Sequence, residues 1–148
     1  MINGTGFSGV TSVQFGATNA ASFTVDSATR ITATSPAGSA GTVDIRVTAT
    51  GGTSATGAAD QFTYLAAPSI RAVSPGSGPS AGGTTVVLSG GQFVGVSAVK
   101  FGASNATSFT VNSPTQITAT APAGATGTVN LTVTAAGGTS TPSASDQF

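Results

Sequence analysis

Residues Phe101 to Val133, FGASNATSFTVNSPTQITATAPAGATGTVNLTV, replay residues Phe15 to Val47, FGATNAASFTVDSATRITATSPAGSAGTVDIRV. The shift is 101 − 15 = 86 positions, and it holds without a gap from Gly4/Gly90 to Phe62/Phe148. No other feature constrains the fold as strongly. One structural unit is built twice, so the 148 residues are expected to form two units of roughly 80 to 86 residues, not a single core. The copies differ in extent. Met1-Ile2 align with Val87-Leu88, so Pro68 to Val86 have no upstream counterpart, and Phe148 aligns with Phe62, two residues short of Tyr64.

Within each copy the apolar residues alternate, which is the period of a half-buried strand. Ser12 to Gly16 sets Val13 and Phe15 on one face and Gln14 on the other. Ser22 to Ser27 repeats this with Phe23 and Val25 inward, and Arg30 to Pro36 follows until Pro36 removes a ladder donor. Thr42 to Thr48 turns Val43, Ile45 and Val47 in and Asp44 and Arg46 out. A loose Asp44–Arg46 pair is expected there, worth about 0 to 1 kcal/mol. Gly51-Gly52 form a turn and Asp60 to Tyr64 return as the last strand, with Phe62 and Tyr64. In the second copy Ser69 to Val73 form the first strand, with Ile70 and Val73 packed. Val86, Leu88, Val99, Phe101, Phe109, Val111, Ile117, Val129, Leu131 and Val133 then continue its core. Strand runs recur about every 8 to 12 residues and helical periodicity is absent, the pattern of a β-sandwich. Leu65 to Pro68 is a short junction ending in proline, which implies restrained head-to-tail units.

Between Ser74 and Phe93 runs SPGSGPSAGGTTVVLSGGQF, a Pro/Gly loop leading into a strand and a G-x-x-F. V-x-FG, SPTQITATAPAGATGTVNLTV and, in the first copy, DQFTY complete the series. Together these resemble the IPT/TIG domain, the immunoglobulin-like module of plexins, some transcription factors and many bacterial surface proteins. The resemblance implies an all-β fold of two tandem immunoglobulin-like sandwiches. Residues 1–64 form the first, lacking its N-terminal strand, and residues 65–148 the second, its last strand slightly truncated. An uncovered sheet edge leaves unpaired backbone groups. Two expectations follow: the native chain continues upstream, or a neighbouring molecule supplies the strand. No basic and apolar leader follows Met1, so a secreted form is expected to be part of something longer.

Composition narrows the function. Only 5% of residues are charged, against about 25% in ordinary soluble domains. Lys100, Arg30, Arg46 and Arg71 balance Asp26, Asp44, Asp60 and Asp146 to a net charge of zero. Such a surface lacks the field that binds nucleic acid through counterion release. No apolar run approaches the roughly 18 residues of a spanning helix, and regular Val, Ile and Phe spacing argues against disorder.

Catalytic readings fare poorly. With no His and no Cys, Ser/His/Asp and Cys/His nucleophiles are excluded. Lys100, the counterpart of Gln14, reads as a solvated lysine on an outward strand face. A Lys100–Asn105 or Lys100–Asn130 isopeptide bond would need a buried lysine. Asp60 and Asp146 are repeat-equivalent, while Asp26 and Asp44 match Asn112 and Asn130. One acid per strand or turn suits capping better than a glycosidase pair or a calcium cage. Gly76 to Gly83, Gly51-Gly52 and Gly137-Gly138 lack the GK[ST] and following helix of a phosphate loop. The sequons at Asn3, Asn105 and Asn130 read as products of an Asn- and Thr-rich composition. Phe7/Phe93, Phe15/Phe101, Phe23/Phe109 and Phe62/Phe148 recur as core positions, so no sugar-stacking platform is visible.

No catalytic, cofactor or metal site is therefore expected. The resemblance implies a non-catalytic structural or adhesive repeat of an extracellular surface protein, appendage or virion fibre. Its partners would be neighbouring repeats, or protein or glycan on a cell surface, with no nucleic acid and no membrane insertion. An accessory polysaccharide- or protein-binding module beside a secreted enzyme is the alternative, which an exposed aromatic row would favour.

Overall fold

The alternation of β-branched or aromatic residues with Ser, Thr and Asn gives short antiparallel strands throughout. The computed structural model describes every residue from Met1 to Phe148. It contains two units, unit 1 at Met1–Tyr64 and unit 2 at Leu65–Phe148. Unit 1 carries β1 (Ile2–Asn3), β2 (Ser12–Phe15), β3 (Thr18–Asn19), β4 (Ser22–Ser27), β5 (Arg30–Thr34), β6 (Gly41–Ala49), β7 (Gly52–Thr53) and β8 (Gln61–Tyr64). Unit 2 carries β9 (Ser69–Ser74), β10 (Thr85–Gly91), β11 (Ala98–Phe101), β12 (Ser104–Asn105), β13 (Ser108–Ser113), β14 (Gln116–Thr120), β15 (Leu131–Ala135) and β16 (Gly138–Thr139). The only helical pieces are 3-10 turns at Ala58–Asp60 and Ala144–Asp146.

Each unit sets two antiparallel sheets around one apolar core. In unit 1 the order β1-β5-β4 faces β3-β2-β6-β7, with β8 also paired to β6. In unit 2 the order β13-β14-β10-β9 faces β12-β11-β15-β16. The 86-residue shift carries over to the pairing: Val25↔Ile31 becomes Val111↔Ile117, and Val13↔Val47 becomes Val99↔Val133. The unit 1 core is built on Phe7, Val13, Phe15, Ile31 and Val47, with Phe23, Phe62 and Tyr64 packed against it. The unit 2 core adds Ile70, Val86 and Leu88, which come from β9 and β10. Phe15 meets Phe62 edge-on at 5.0 Å and Phe101 meets Phe148 edge-on at 5.2 Å, so the same aromatic pair closes both cores.

Three local outcomes differ from the strand pattern. Val25 and Val111, expected inward, are each 39% exposed. A register shift after each valine, between Val25 and Ser27 and between Val111 and Ser113, disturbs the β4–β5 and β13–β14 hairpins there. Asp44 and Arg46 do not pair. Asp44 lies opposite Gln61 and Arg46 opposite Gln14, and the only ion pair in the chain is Arg30–Asp26. Finally, β6 begins at Gly41 whereas β15 begins only at Leu131. Gly41 and Thr42 pair with Tyr64 and Thr63, whose counterparts would fall at 150 and 149. In unit 2 the ladder is reduced to Asn130↔Gln147 and the reciprocal Val129–Phe148 bonds.

Candidate functional site

Of the acids weighed for chemistry, Asp26, Asp60 and Asp146 have local tasks, while the half-buried Asp44 lies on β6 opposite Gln61. Asp26 clamps the β4–β5 hairpin: its Oδ2 accepts from Thr32 Oγ1 at 2.8 Å and from Arg30 Nε at 3.2 Å. In unit 2 an amide takes the same place. Asn112 Nδ2 donates to Thr118 Oγ1 at 2.7 Å and to Gln116 Oε1 at 3.2 Å. Asp60 accepts from Gly57 N at 2.9 Å and Asp146 accepts from Ser143 N at 2.7 Å, so both cap their 3-10 turns. Asp146 is wholly buried and its Oδ1 lacks a partner, a feature no sequence signal distinguished from half-buried Asp60.

Lys100 is exposed on β11, opposite Asn105 and Thr132. The apolar enclosure that an isopeptide bond requires is not around it. Arg30, Arg46 and Arg71 also lie within strands, in β5, β6 and β9. No three His, Cys, Asp or Glu residues converge on a position that could hold a metal.

The glycine-rich loop before β10 is turn geometry. Gly82 and Gly83 have φ of +78° and +85°, and a Cβ on Gly82 would come within 2.5 Å of Ala123 N. Their amides donate to Pro79 O and Ala121 O, which leaves them no phosphate to hold. Every Phe and the single Tyr are buried or half-buried, so no exposed aromatic row exists on either unit.

Two recesses stand out, one in each unit. That of unit 2, about 540 Å³, lies between the Gly76–Ser80 loop and the Pro122–Val129 segment, with Phe101 and Phe148 at its base. The corresponding place in unit 1 holds Tyr64. Its ring lies over Gly38, where a Cβ would be 2.6 Å away, and its hydroxyl donates to Pro36 O at 3.1 Å. Gly124 and Pro122, the counterparts of Gly38 and Pro36, line the unit 2 recess. The recess of unit 1, about 610 Å³, runs from Met1-Ile2 past Phe7, Ala33 and Val47 to Asp60. In unit 2, β9 pairs along β10 and packs against both β15 and the Ala144–Asp146 turn on this flank. Each recess is thus a position that the sister repeat fills with its own chain. Sequence reasoning identified Tyr64 only as a strand residue, because the contact that matters is to Gly38 and Pro36, far from it in sequence.

The model of the IPT/TIG domain matches residues 1–64 and again 68–148. The chain belongs to the IPT/TIG domain family. Its all-β, tandem immunoglobulin-like architecture is the one expected from the Pro/Gly loop and the V-x-FG motifs. No curated protein sequence matches it. Among solved structures the tandem TIG chain is similar to an SGBP-B from a complex xyloglucan utilization locus in Bacteroides uniformis. They share 24% identity over 95% of this chain and 42% of that one, with a TM-score of 0.46. It is also similar to the SGBP-B of a Bacteroides ovatus mixed-linkage glucan utilization locus, in complex with a mixed-linkage heptasaccharide. Identity there is 23% over 92% of this chain and 35% of that one, with a TM-score of 0.39. A further crystal structure with xylogluco-oligosaccharide gives 24% identity and a TM-score of 0.48 over 99% of this chain and 35% of that one. The TIG chain spans about two fifths or less of the length of these proteins.

Proposed function

We propose that this pair of TIG domains, 1–64 and 65–148, is a non-catalytic spacer built into an extracellular cell-surface protein, where it holds functional neighbours in place. The observation that supports this reading most is that the strongest polar and concave candidates have a structural use. Asp26 clamps a hairpin, Asp60 and Asp146 cap turns, Gly82 and Gly83 make a turn, the aromatics pack in the cores, and each recess matches a segment of the sister repeat. The neutral Ser/Thr surface suits such a part, since it attracts neither nucleic acid nor anionic lipid.

A second reading, contact with polysaccharide, is favoured by one feature. The unit 2 recess combines the hydroxyls of Ser77, Ser80, Ser104, Thr126 and Thr128 with an apolar base, a mixture that suits a sugar edge. Titration calorimetry with a xylogluco-oligosaccharide and a mixed-linkage heptasaccharide separates the two. The spacer reading expects no saturable heat at millimolar ligand. A saturable heat abolished by Ser104→Trp, which would crowd the recess, establishes the glycan reading instead.

A further inference from the structure

We propose that the segment entering β9, Leu65 to Pro68, is a strap latched onto the β15–β16 turn of unit 2, with Gly137 as the latch, so that the backbone freedom of the junction is confined to Leu65. Every contact involved lies within unit 2, so the strap holds whether or not the pair serves as a spacer.

By sequence alone this segment is only half restrained. Proline fixes its own φ and drives the residue before it toward extended backbone, which restrains Pro68 and Ala67. Neither effect reaches Leu65 or Ala66, and neither Ala66 nor Ala67 makes a backbone hydrogen bond. In the fold, Pro68 is buried at the threshold of β9 and Ala66 is half-buried, while Leu65 is 50% exposed. The neighbour of Ala66 is the tight turn between β15 and β16.

Gly137 shows how close the approach is. A Cβ there would meet the Ala66 carbonyl carbon at 2.5 Å and Leu65 O at 3.0 Å, with the Ala66 oxygen nearer still. These are backbone atoms, which cannot swing aside as the end of a side chain can. The turn is braced from behind, because Ala136 N donates to Val94 O at 3.1 Å. Gly137 is not required by its own conformation, since in this turn only Gly138 has a positive φ, +122°. The turn of unit 1, Gly51-Gly52, keeps that geometry with Gly52 at +121°, yet a Cβ on Gly51 would meet nothing within 4 Å. The turn itself therefore accepts a side chain at its first glycine, and the strap is what excludes one from Gly137. Ala67 adds an ordinary van der Waals contact, its methyl 3.7 Å from the Cβ position of Gly138. Pro68 anchors one end and the backbone-on-glycine contact holds the other, so a single methyl group at 137 is enough to lift the strap.

The test is backbone amide NMR relaxation of the 148-residue chain and of its Gly137→Ala and Gly51→Ala variants. In the parent, Ala66 and Ala67 should have order parameters of about 0.85, like the strands, and Leu65 a lower one. Gly137→Ala should drop Ala66 below about 0.6 while the β10 and β14 amides stay ordered. It should also speed cleavage at Ala66–Ala67 by an elastase, which cuts after alanine, at least about fivefold. Gly51→Ala should change neither reading. Order parameters below about 0.6 at Ala66 and Ala67 in the parent overturn the proposal by themselves, whether or not Gly137→Ala folds. A folded Gly137→Ala chain with Ala66 as ordered as in the parent overturns it too.

Discussion

At the scale of single residues, the repeat supplies its own controls, because most side chains have a counterpart in a slightly different setting. Ser54 Oγ accepts from Val47 N at 3.0 Å and Ser140 Oγ accepts from Val133 N at 3.0 Å, but Ser54 is exposed while Ser140 and Val133 are buried. Ser140→Ala leaves a buried amide without its acceptor and is expected to cost about 1–3 kcal/mol. Ser54→Ala, where water can substitute, should cost less than about 1 kcal/mol. Equilibrium urea unfolding of the two variants checks the ordering, and equal losses would contradict the burial argument. Gln92 offers the opposite case. It is the only non-glycine residue at positive φ, +60°, and its counterpart is Gly6 at +72°. Gln92→Gly should therefore stabilise unit 2 by about 0.5–1 kcal/mol, seen as a higher unfolding midpoint at unchanged slope.

At the scale of elements, much of the fold was legible because alternation directly reports which face of a strand is buried. Val13/Phe15 and Val47, with Val99/Phe101, Ile117 and Val133, all read correctly as core. Val25 and Val111 did not, since a register shift in the hairpin has no signature in hydrophobicity alone. Nor could the pattern show that Asp44 and Arg46 face different partner strands, or that Asp146 is buried under β9 while Asp60 is not. These depend on contacts distant in sequence. Tyr64 is the clearest example, and it allows a direct test. Tyr64→Phe removes the bond to Pro36 O and should cost about 0.5–1.5 kcal/mol. Tyr64→Ala also uncovers Gly38 and the edge of Phe62, so a loss of about 2 kcal/mol or more is expected. If the two variants lose the same stability, the ring contributes nothing and the account of the recess in unit 2 loses its support.

At the scale of the whole molecule, hydroxyl pairs replace ion pairs as the ties between neighbouring strands. Thr42–Thr63, Thr48–Thr53, Thr134–Thr139, Ser22–Thr34 and Ser108–Thr120 all bridge at 3.0–3.1 Å. With one exposed ion pair in the chain, the unfolding midpoint should move little between low and high sodium chloride. A strong salt dependence would mean that charges carry more of the stability than this geometry allows. No helix is long and apolar enough to cross a membrane.

The placement of the four basic residues has a consequence for proteolysis. Trypsin-like enzymes cut after lysine or arginine and need a pliable stretch of backbone to draw into their cleft. Arg30, Arg46 and Lys100 have ladder partners, Arg71 sits at a bulge in the edge strand β9, and the long loops where nicking usually begins contain no basic residue. Digestion by trypsin should accordingly be slow in buffer and should accelerate with urea in step with unfolding, as gel densitometry would show. Rapid cleavage of the native chain would reveal fraying at one of those strands. With so few cuttable bonds, all of them within strands, resistance to that class of enzyme is set by where the few charges lie, and Arg71 is the first bond expected to yield.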